Sequence, residues 1–320
     1  ASGGCRPVPG EASSGGPGIE FIKRKKPDWL RAKLPGGPGY KETLDLVNKY
    51  KLHTVCSEAR CPNLGECWER GTATMMILGD TCTRSCGFCA VKTARPDALE
   101  ADEPQRVAEA TKRLDLKHVV ITAVARDDLR DGGGEHFKNV INKVREVNPG
   151  IVIEVLTPDF NDKDFALEMC MSAHPHIFNH NLETVERLTP IVRSRAKYQR
   201  SLTVLKKAKQ MAGGKVVTKS GLMLGLGEKE DELFKAMDDL LAHDVTVLTL
   251  GQYLRPTPRH LPVVEYITPE KFDEYKQVAL DKGFRHVASG PLVRSSYHAA
   301  DFRPELDLFE EIEKEAAAHV

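Results

Sequence analysis

The sequence predicts an α/β chain: a partial (βα)6 barrel preceded by a cysteine-bearing N-terminal extension and followed by a C-terminal closing segment. Three observations predict it. Six short, apolar, β-rich runs recur between residues 74 and 251. Amphipathic helical stretches separate them, at a spacing that suits parallel strands with helices outside. Six of the eight cysteines fall within residues 56–89, where the first of those runs ends.

The elements follow in order. Residues 1–18, ASGGCRPVPGEASSGGPG, are rich in Gly, Pro and Ser and read as a disordered tail without the apolar run of a secretory signal. The chain opens on Ala1 rather than methionine, so this tail is expected to be the remnant of a cleaved leader or of an added segment. Residues 19–70 form the extension, where PDWLRAKLPGGPGY and KETLDLVNKYKL mix helical patterns with turns. The barrel spans 71–285. Its strands are TMMILG (74–79), KHVVITAV (117–124), IVIEVL (151–156), HIFN (176–179), KSGLMLG (219–225) and VTVLTLG (245–251). Between them lie stretches such as EPQRVAEATKRL, EHFKNVINKVREV and EDELFKAMDDLLAH, whose apolar residues recur at helical spacing. Residues 286–320 close the chain and carry RSSY (294–297). In such folds chemistry gathers at the carboxyl ends of the strands. The cysteine loop directly follows TMMILGD and so falls at that end.

The chain has 320 residues, 41% hydrophobic and 29% charged, enough for one large α/β domain with appendages. Formal net charge is zero, so no global field favours nucleic acid, and no apolar run reaches bilayer length. Neither a nucleic acid nor a membrane is expected as a partner. The expected location is the cytoplasm, or a mitochondrial or plastid matrix if a leader was removed. In a reducing compartment a cysteine cluster of this density binds metal rather than forming disulfides. Cys170, inside ALEMCMSA, reads as a buried apolar residue.

The stretch CTRSCGFC places Cys82, Cys86 and Cys89 in a C-x3-C-x2-C pattern. A structural zinc site wants four ligands, and no histidine stands in this loop. A cubane iron–sulfur cluster has four irons, each wanting one external ligand. Three thiolates leave one iron open to a substrate. The pattern, with Phe88 before the last cysteine and a strand ahead, resembles the radical S-adenosylmethionine (SAM) superfamily. That resemblance implies a [4Fe–4S] cluster that chelates SAM and cleaves it reductively to a 5′-deoxyadenosyl radical.

A second triplet, Cys56, Cys61 and Cys67 in CSEARCPNLGEC, is spaced C-x4-C-x5-C and is again one ligand short. Alone it fits a zinc set or ordinary loop cysteines; beside the first it reads as a second cluster site with a non-cysteine fourth ligand. The two triplets in this order, with PNLGECW, RDDLRDGGGEHF, EVLTPDF, FNHNLETVERL, TKSGLMLGLGE and GPLVRSSYHA, resemble the lipoyl synthase family over about residues 20–300. The resemblance implies radical insertion of two sulfurs, at C6 and C8 of a protein-bound octanoyl-lysine. It also implies two [4Fe–4S] clusters, the auxiliary one being sacrificed as sulfur donor. RSSY alone suggests a turn or helix cap; the resemblance makes Ser296 the fourth ligand of the auxiliary cluster. An oxygen ligand is harder than thiolate and more easily released, which suits a cluster that loses sulfur.

Polar groups at strand ends are expected to hold SAM. Asp131, Gly132 and Gly133 in DGGGEH follow the second strand and precede a helix, where backbone N–H groups receive anions; a capped loop is the competing reading. Glu154 on the third strand and Asn179 and Asn181 after the fourth are placed to reach the ribose or amino group. The implied partners are octanoylated lipoyl carrier domains (2-oxoacid dehydrogenase E2 subunits, glycine cleavage H protein) and an electron donor such as ferredoxin or flavodoxin. From Arg193 to Lys219 there are nine Lys or Arg residues and no Asp or Glu. With Lys206, Lys207 and Lys209 on one helix, this run is the expected docking face for an acidic carrier, with KRKK (23–26) a weaker candidate. The alternatives are another radical SAM sulfur-inserting enzyme and, in a different class, a non-catalytic iron–sulfur or zinc protein.

Overall fold

A computed structural model describes residues 26–32, 34–297, 299, 310, 312–314 and 316; the tail 1–18 lies outside the described residues. The extension holds α1 (Pro38–Lys49), β1 (His53–Thr54), α2 (Val55–Glu58) and α3 (Leu64–Glu69). The barrel begins with β2 (Met75–Ile77), followed by two short pieces, β3 (Thr81–Cys82) and β4 (Lys92–Thr93). Next come α4 (Glu103–Arg113), β5 (His118–Ala123), α5 (Gly134–Val147), β6 (Val152–Leu156), α6 (Asp164–Met171), β7 (Ile177–Asn179) and α7 (Thr189–Val192). Then α8 (Tyr198–Met211), β8 (Val217–Leu224), α9 (Glu230–Leu241), β9 (Val247–Gln252), α10 (Pro269–Lys282) and β10 (His286–Gly290) complete the order.

All six expected strands are present and pair in parallel, in the order β2-β5-β6-β7-β8-β9. Two more extend the sheet to eight: β10 adds in parallel to β9, and β1 adds antiparallel to β2. The extension is therefore stitched to the barrel edge by backbone hydrogen bonds. β1 and β10 form the two edges of the sheet, so the barrel is partial.

Strand alternation sorts side chains to two sides. Val119, Ile121, Ile153 and Val155 are fully buried and join a core with Phe137, Val140, Ile141 and Val144 of α5 and Leu233, Ala236, Met237 and Leu240 of α9. The alternate residues His118, Val120 and Thr122 of β5, Leu156 of β6, Gly221 and Met223 of β8, and Thr249 and Gly251 of β9 line one internal cavity. At the floor, Val152, Ile177, Val217 and Val247 form a separate apolar cluster. C-terminal residues reach this end: Ile312 and Ala316 are buried, and Glu313 Oε1 lies 3.1 Å from Arg145 Nε and 3.0 Å from His176 Nε2.

Among the described residues no helix is long and apolar enough to cross a membrane.

Candidate active site

The cavity, about 650 Å3, opens between the barrel and the extension. Cys82 and Cys89 from the first triplet line it, and so do Cys56, Cys61 and Cys67 from the second. All described cysteines are free thiols.

The first triplet hangs from the end of β2, where Leu78 and Gly79 turn the chain with φ of 69° and 88°. β3 pairs with β4, closing the loop at its base. The Arg84 N–H points at Cys82 Sγ at 3.4 Å. Gly87 donates to Val192 O at 2.9 Å and accepts from Leu261 N at 2.9 Å, so two backbone segments grip it. A Cβ at Gly87 would lie 2.9 Å from Leu261 Cδ1, so any larger residue there would have to displace the Leu261 side chain. His260 Nε2 sits 2.9 Å from the carbonyl of Cys89.

In the second triplet, Thr54 caps α2 by accepting from Ser57 N at 3.3 Å, which fixes Cys56 in the first turn. Cys61 N donates to Cys56 O at 2.9 Å, and Thr72 N donates to Cys67 O at 2.9 Å. The buried indole N–H of Trp68 finds no hydrogen-bond acceptor, yet it lies close enough to Cys56 to favour the thiolate.

Burial pushes every one of these thiols that shows a shift upward: Cys67 and Cys89 to about 12, Cys86 to about 11, and Cys56 and Cys61 in the same direction. Within each triplet the thiols also raise one another. Buried thiols that repel as thiolates are stable as ligands only when a cation joins them. Among the described residues no three His, Cys, Asp or Glu side chains converge on a single metal ion. A cubane instead takes each thiolate on a separate iron, and the donor set fits that kind of group.

The turn after β10 folds back over the extension. Asn63 Nδ2 donates to Leu292 O at 2.7 Å, Thr74 Oγ1 to Ser296 Oγ at 2.8 Å, and Tyr297 OH to Glu66 Oε1 at 3.4 Å. Thr74 is also a hydrogen-bond partner of Cys56. Ser296 and the second triplet thus share one wall of the cavity. Ser295 faces the barrel instead and accepts from Asn181 Nδ2 at 2.7 Å.

Of the expected SAM contacts, Phe88 and Asn181 line the cavity. Asp131, Gly132 and Gly133 do not. Asp131 accepts from Gly133 N at 3.2 Å and Glu135 N at 2.8 Å, capping α5, so the glycine-rich loop is a helix start. Glu154 and Asn179 are not among the lining residues either. Both are fully buried, and Glu154 meets Lys219 Nζ at 2.8 Å, Asn179 Nδ2 at 3.1 Å and Nε2 of the cavity residue His118 at 3.2 Å. Burial alone would raise the Glu154 carboxyl, but Lys219 and His118 reverse that and hold it at about 2.

The one-signed run from Arg193 to Lys219 is largely absorbed by distant partners. Arg200 pairs with Asp159 at 2.7 Å, Lys207 with Asp164 at 2.5 Å and Lys219 with Glu154 at 2.8 Å. Lys209 donates to Val216 O at 2.6 Å, and Arg193 lies inside the fold. The helix α8 is therefore not a continuous unpartnered face. Lys23 to Arg24 and Lys25 of KRKK lie outside the described residues; Lys26 lines the cavity.

Three cavity residues escape sequence reasoning: Glu183, Arg193 and Arg294. Glu183 sits at φ 67° in a bridge to Leu222, accepting from Asn181 Nδ2 at 3.1 Å. Burial raises its carboxyl against the pull of Arg193. Arg193 Nη1 donates to the carbonyls of Asn181 at 3.0 Å and Leu182 at 3.1 Å, rigidifying that loop. Arg294 lies within electrostatic reach of both Cys61 and Glu183, so it bridges the two triplets' surroundings. The left-handed Glu183 in FNHNLETVERL is the one signal available, and it is visible only in the backbone.

Residues 76–240 match the profile of the Radical SAM superfamily, and residues 19–61 match that of the N-terminal domain of lipoyl synthase of the Radical SAM family. Lipoyl synthase of Rubrobacter xylanophilus is 56% identical over 274 residues, 86% of this chain and 85% of that one. Lipoyl synthase of Chlorobaculum tepidum is 51% identical over 281 residues, 88% of this chain and 96% of that one. Among solved structures, Streptococcus suis SuiB bound to precursor peptide SuiA superposes with a TM-score of 0.54 at 11% identity, over 85% of this chain and 58% of that chain. Methylornithine synthase (PylB) superposes with a TM-score of 0.51 at 13% identity, over 76% of this chain and 80% of that chain. These two establish the fold alone. With its cysteines, its partial barrel and more than half of its aligned residues shared with such relatives, the chain belongs to the lipoyl synthase family of radical SAM enzymes.

Proposed function

We propose that the cavity is the site where an octanoyl group, amide-linked to a lysine of a lipoyl carrier domain, receives sulfur at C6 and C8. Family membership makes the chain a sulfur-inserting enzyme. The observation that supports the site is that Cys82 and Cys89 of the first triplet and all three cysteines of the second line one cavity. A carbon radical must meet sulfur before it meets anything else, and a shared chamber achieves that.

On this reading Cys82, Cys86 and Cys89 hold one [4Fe–4S] cluster, and Cys56, Cys61, Cys67 and Ser296 hold the other. When bound, the first supplies an electron to SAM and the second supplies sulfide. The chain's own residues bind and orient. Thr157 Oγ1, Asn181 Oδ1 and His118 Nδ1 all line the cavity, are buried, and have no hydrogen-bond partner, so they are ready for a polar ligand such as SAM. Val55, Met76, Val120, Leu156 and Met223 give the apolar wall that an eight-carbon chain requires. The volume of about 650 Å3 lies inside the usual range for small-molecule sites.

Exposed residues among the lining mark where the cavity meets solvent. They are cationic: Lys26, Arg60, Arg70 and Arg255. The carrier docks there, bringing its acyl-lysine to the opening, and the rim replaces α8 as the preferred face for an acidic carrier such as an E2 lipoyl domain or H protein. A small electron-transfer protein, ferredoxin or flavodoxin, supplies the reducing equivalents, and the cytoplasm is the expected compartment.

The test is reconstitution with iron and sulfide, then turnover on an octanoyl-lysine peptide with SAM and a reductant. Two clusters per chain, deoxyadenosine and a lipoyl product support the reading. Deoxyadenosine without any sulfur in the peptide would point to another substrate.

A further inference from the structure

Arg84 stands inside the cysteine loop, between Cys82 and Cys86, but its side chain turns away from the cavity into the barrel rim. It is only 6% exposed. Its Nε and Nη2 donate to the two oxygens of Asp127 at 2.8 and 2.7 Å, and its Nη1 meets Asp159 Oδ1 at 2.7 Å. Asp159 is itself buried, and its other oxygen accepts from Arg200 Nε at 2.7 Å. Two guanidinium groups and two carboxylates alternate, so the cluster has no net charge.

The four residues come from four places. Arg84 belongs to the cysteine loop, Asp127 follows β5, Asp159 follows β6 and Arg200 lies on α8. Backbone contacts reinforce the join: Thr83 N donates to Ala125 O at 3.0 Å, and Asp127 N donates to Thr83 Oγ1 at 3.1 Å. The outcome of this clamping is local. It fixes the peptide whose N–H points at Cys82 Sγ.

We propose that Arg84 is a positioning residue: the Arg84–Asp127–Asp159–Arg200 ion cluster holds the Cys82–Cys86–Cys89 loop in the shape that accepts its iron–sulfur cluster. This rests on the assignment of that loop as a cluster site. A three-thiolate site has one protein ligand fewer than a fully ligated cubane, so its retention depends more heavily on loop geometry. The loop must also converge thiolates that repel one another. The ion cluster supplies rigidity beside them, and its two carboxylates offset the two guanidinium charges. A lysine could reproduce the charge of Arg84 but not its three-way fork to two carboxylates.

The experiment uses the full chain reconstituted with both clusters, with the auxiliary cluster as internal reference. Chelator-driven iron release is followed, and the midpoint potential of each cluster is measured. Arg84→Gln is expected to speed release from the loop cluster about tenfold and to shift its potential, leaving the auxiliary cluster unchanged. Arg84→Lys falls between Arg84→Gln and wild type, and Asp159→Asn acts in the same direction. Arg84→Gln with wild-type release and potential overturns the clamp, as does equal loosening of both clusters. If Arg84→Gln does not fold, Arg200→Gln carries the test, since it removes only the outer partner of Asp159; a smaller acceleration confined to the loop cluster supports the clamp, and none overturns it. A wild-type chain that loads only the auxiliary cluster overturns the loop assignment and the clamp together, whereas a fully loaded wild type with an indifferent Arg84→Gln overturns the clamp alone.

Discussion

Thr74 and Ser296 stand 222 residues apart in the chain and share a 2.8 Å hydrogen bond. Thr74 leads into the first barrel strand and also touches Cys56, so one threonine joins the closing turn to the second cysteine triplet. Ser296→Ala is expected to leave deoxyadenosine formation within about twofold of wild type and to lower lipoyl product about tenfold or more. Ser295→Ala removes a hydrogen bond to Asn181 and is expected to cost less. Ser296→Cys keeps a cluster but donates sulfur poorly, because a fourth thiolate is softer and held more tightly. Quantifying both products in the same reaction separates these outcomes.

Replacing Cys82, Cys86 and Cys89 together by Ala is expected to leave about half the iron and no SAM cleavage. Replacing Cys56, Cys61 and Cys67 is expected to leave about half the iron as well, with cleavage partly intact and no lipoyl product. Iron analysis with deoxyadenosine and lipoyl assays checks each. Cleavage by the first variant, or sulfur transfer by the second without added sulfide, would reverse the assignments.

Inside the barrel, Glu154→Gln leaves Lys219 buried without its carboxylate and is expected to destabilise the fold by about 3 kcal/mol. Adding Lys219→Met recovers much of that loss. The Glu154 carboxyl is held at about 2 against an ordinary 4.5, so its contribution is complete above pH 4.5 and declines as pH falls toward 2. Denaturant unfolding across that window should show the wild type losing more stability than Glu154→Gln. Parallel curves would mean that the carboxylate is not linked to folding.

Charge reversal at the cavity opening tests docking. Arg60→Glu is expected to raise the apparent KM for an acidic carrier domain severalfold, with little effect on a short octanoyl-lysine peptide. Added salt should shrink the difference. Lys206→Glu on α8 serves as the comparison and is expected to change little. The reverse ranking would return docking to the helix.

The barrel was legible because buried parallel strands write themselves as short apolar runs, and TMMILG, KHVVITAV and VTVLTLG each became a strand. The cysteine triplets were legible because their spacing is local. What the sequence did not show depends on distance. Glu154 was expected to reach a ligand, but Lys219, Asn179 and His118, which come from three other strands, already surround its oxygens. DGGGEH looked like an anion site, but the Asp131 carboxylate already accepts from the N–H groups of Gly133 and Glu135 at the helix start. The charge run looked unpaired because Asp159, Asp164 and Glu154 come from other elements. Glu183 was invisible, since nothing in its sequence announces a left-handed backbone.

The second triplet and Ser296 belong to no parallel strand. They ride on two arms, one before the barrel and one after it, that meet through Thr74 and through Asn63 with Leu292. The barrel by itself carries only the CTRSCGFC loop. On the proposed assignment, radical generation and atom supply are housed on separable stretches of chain. Grafting a different donor onto this scaffold would therefore require moving both arms as a matched pair, because either one transplanted alone would arrive without the residue it is built to meet.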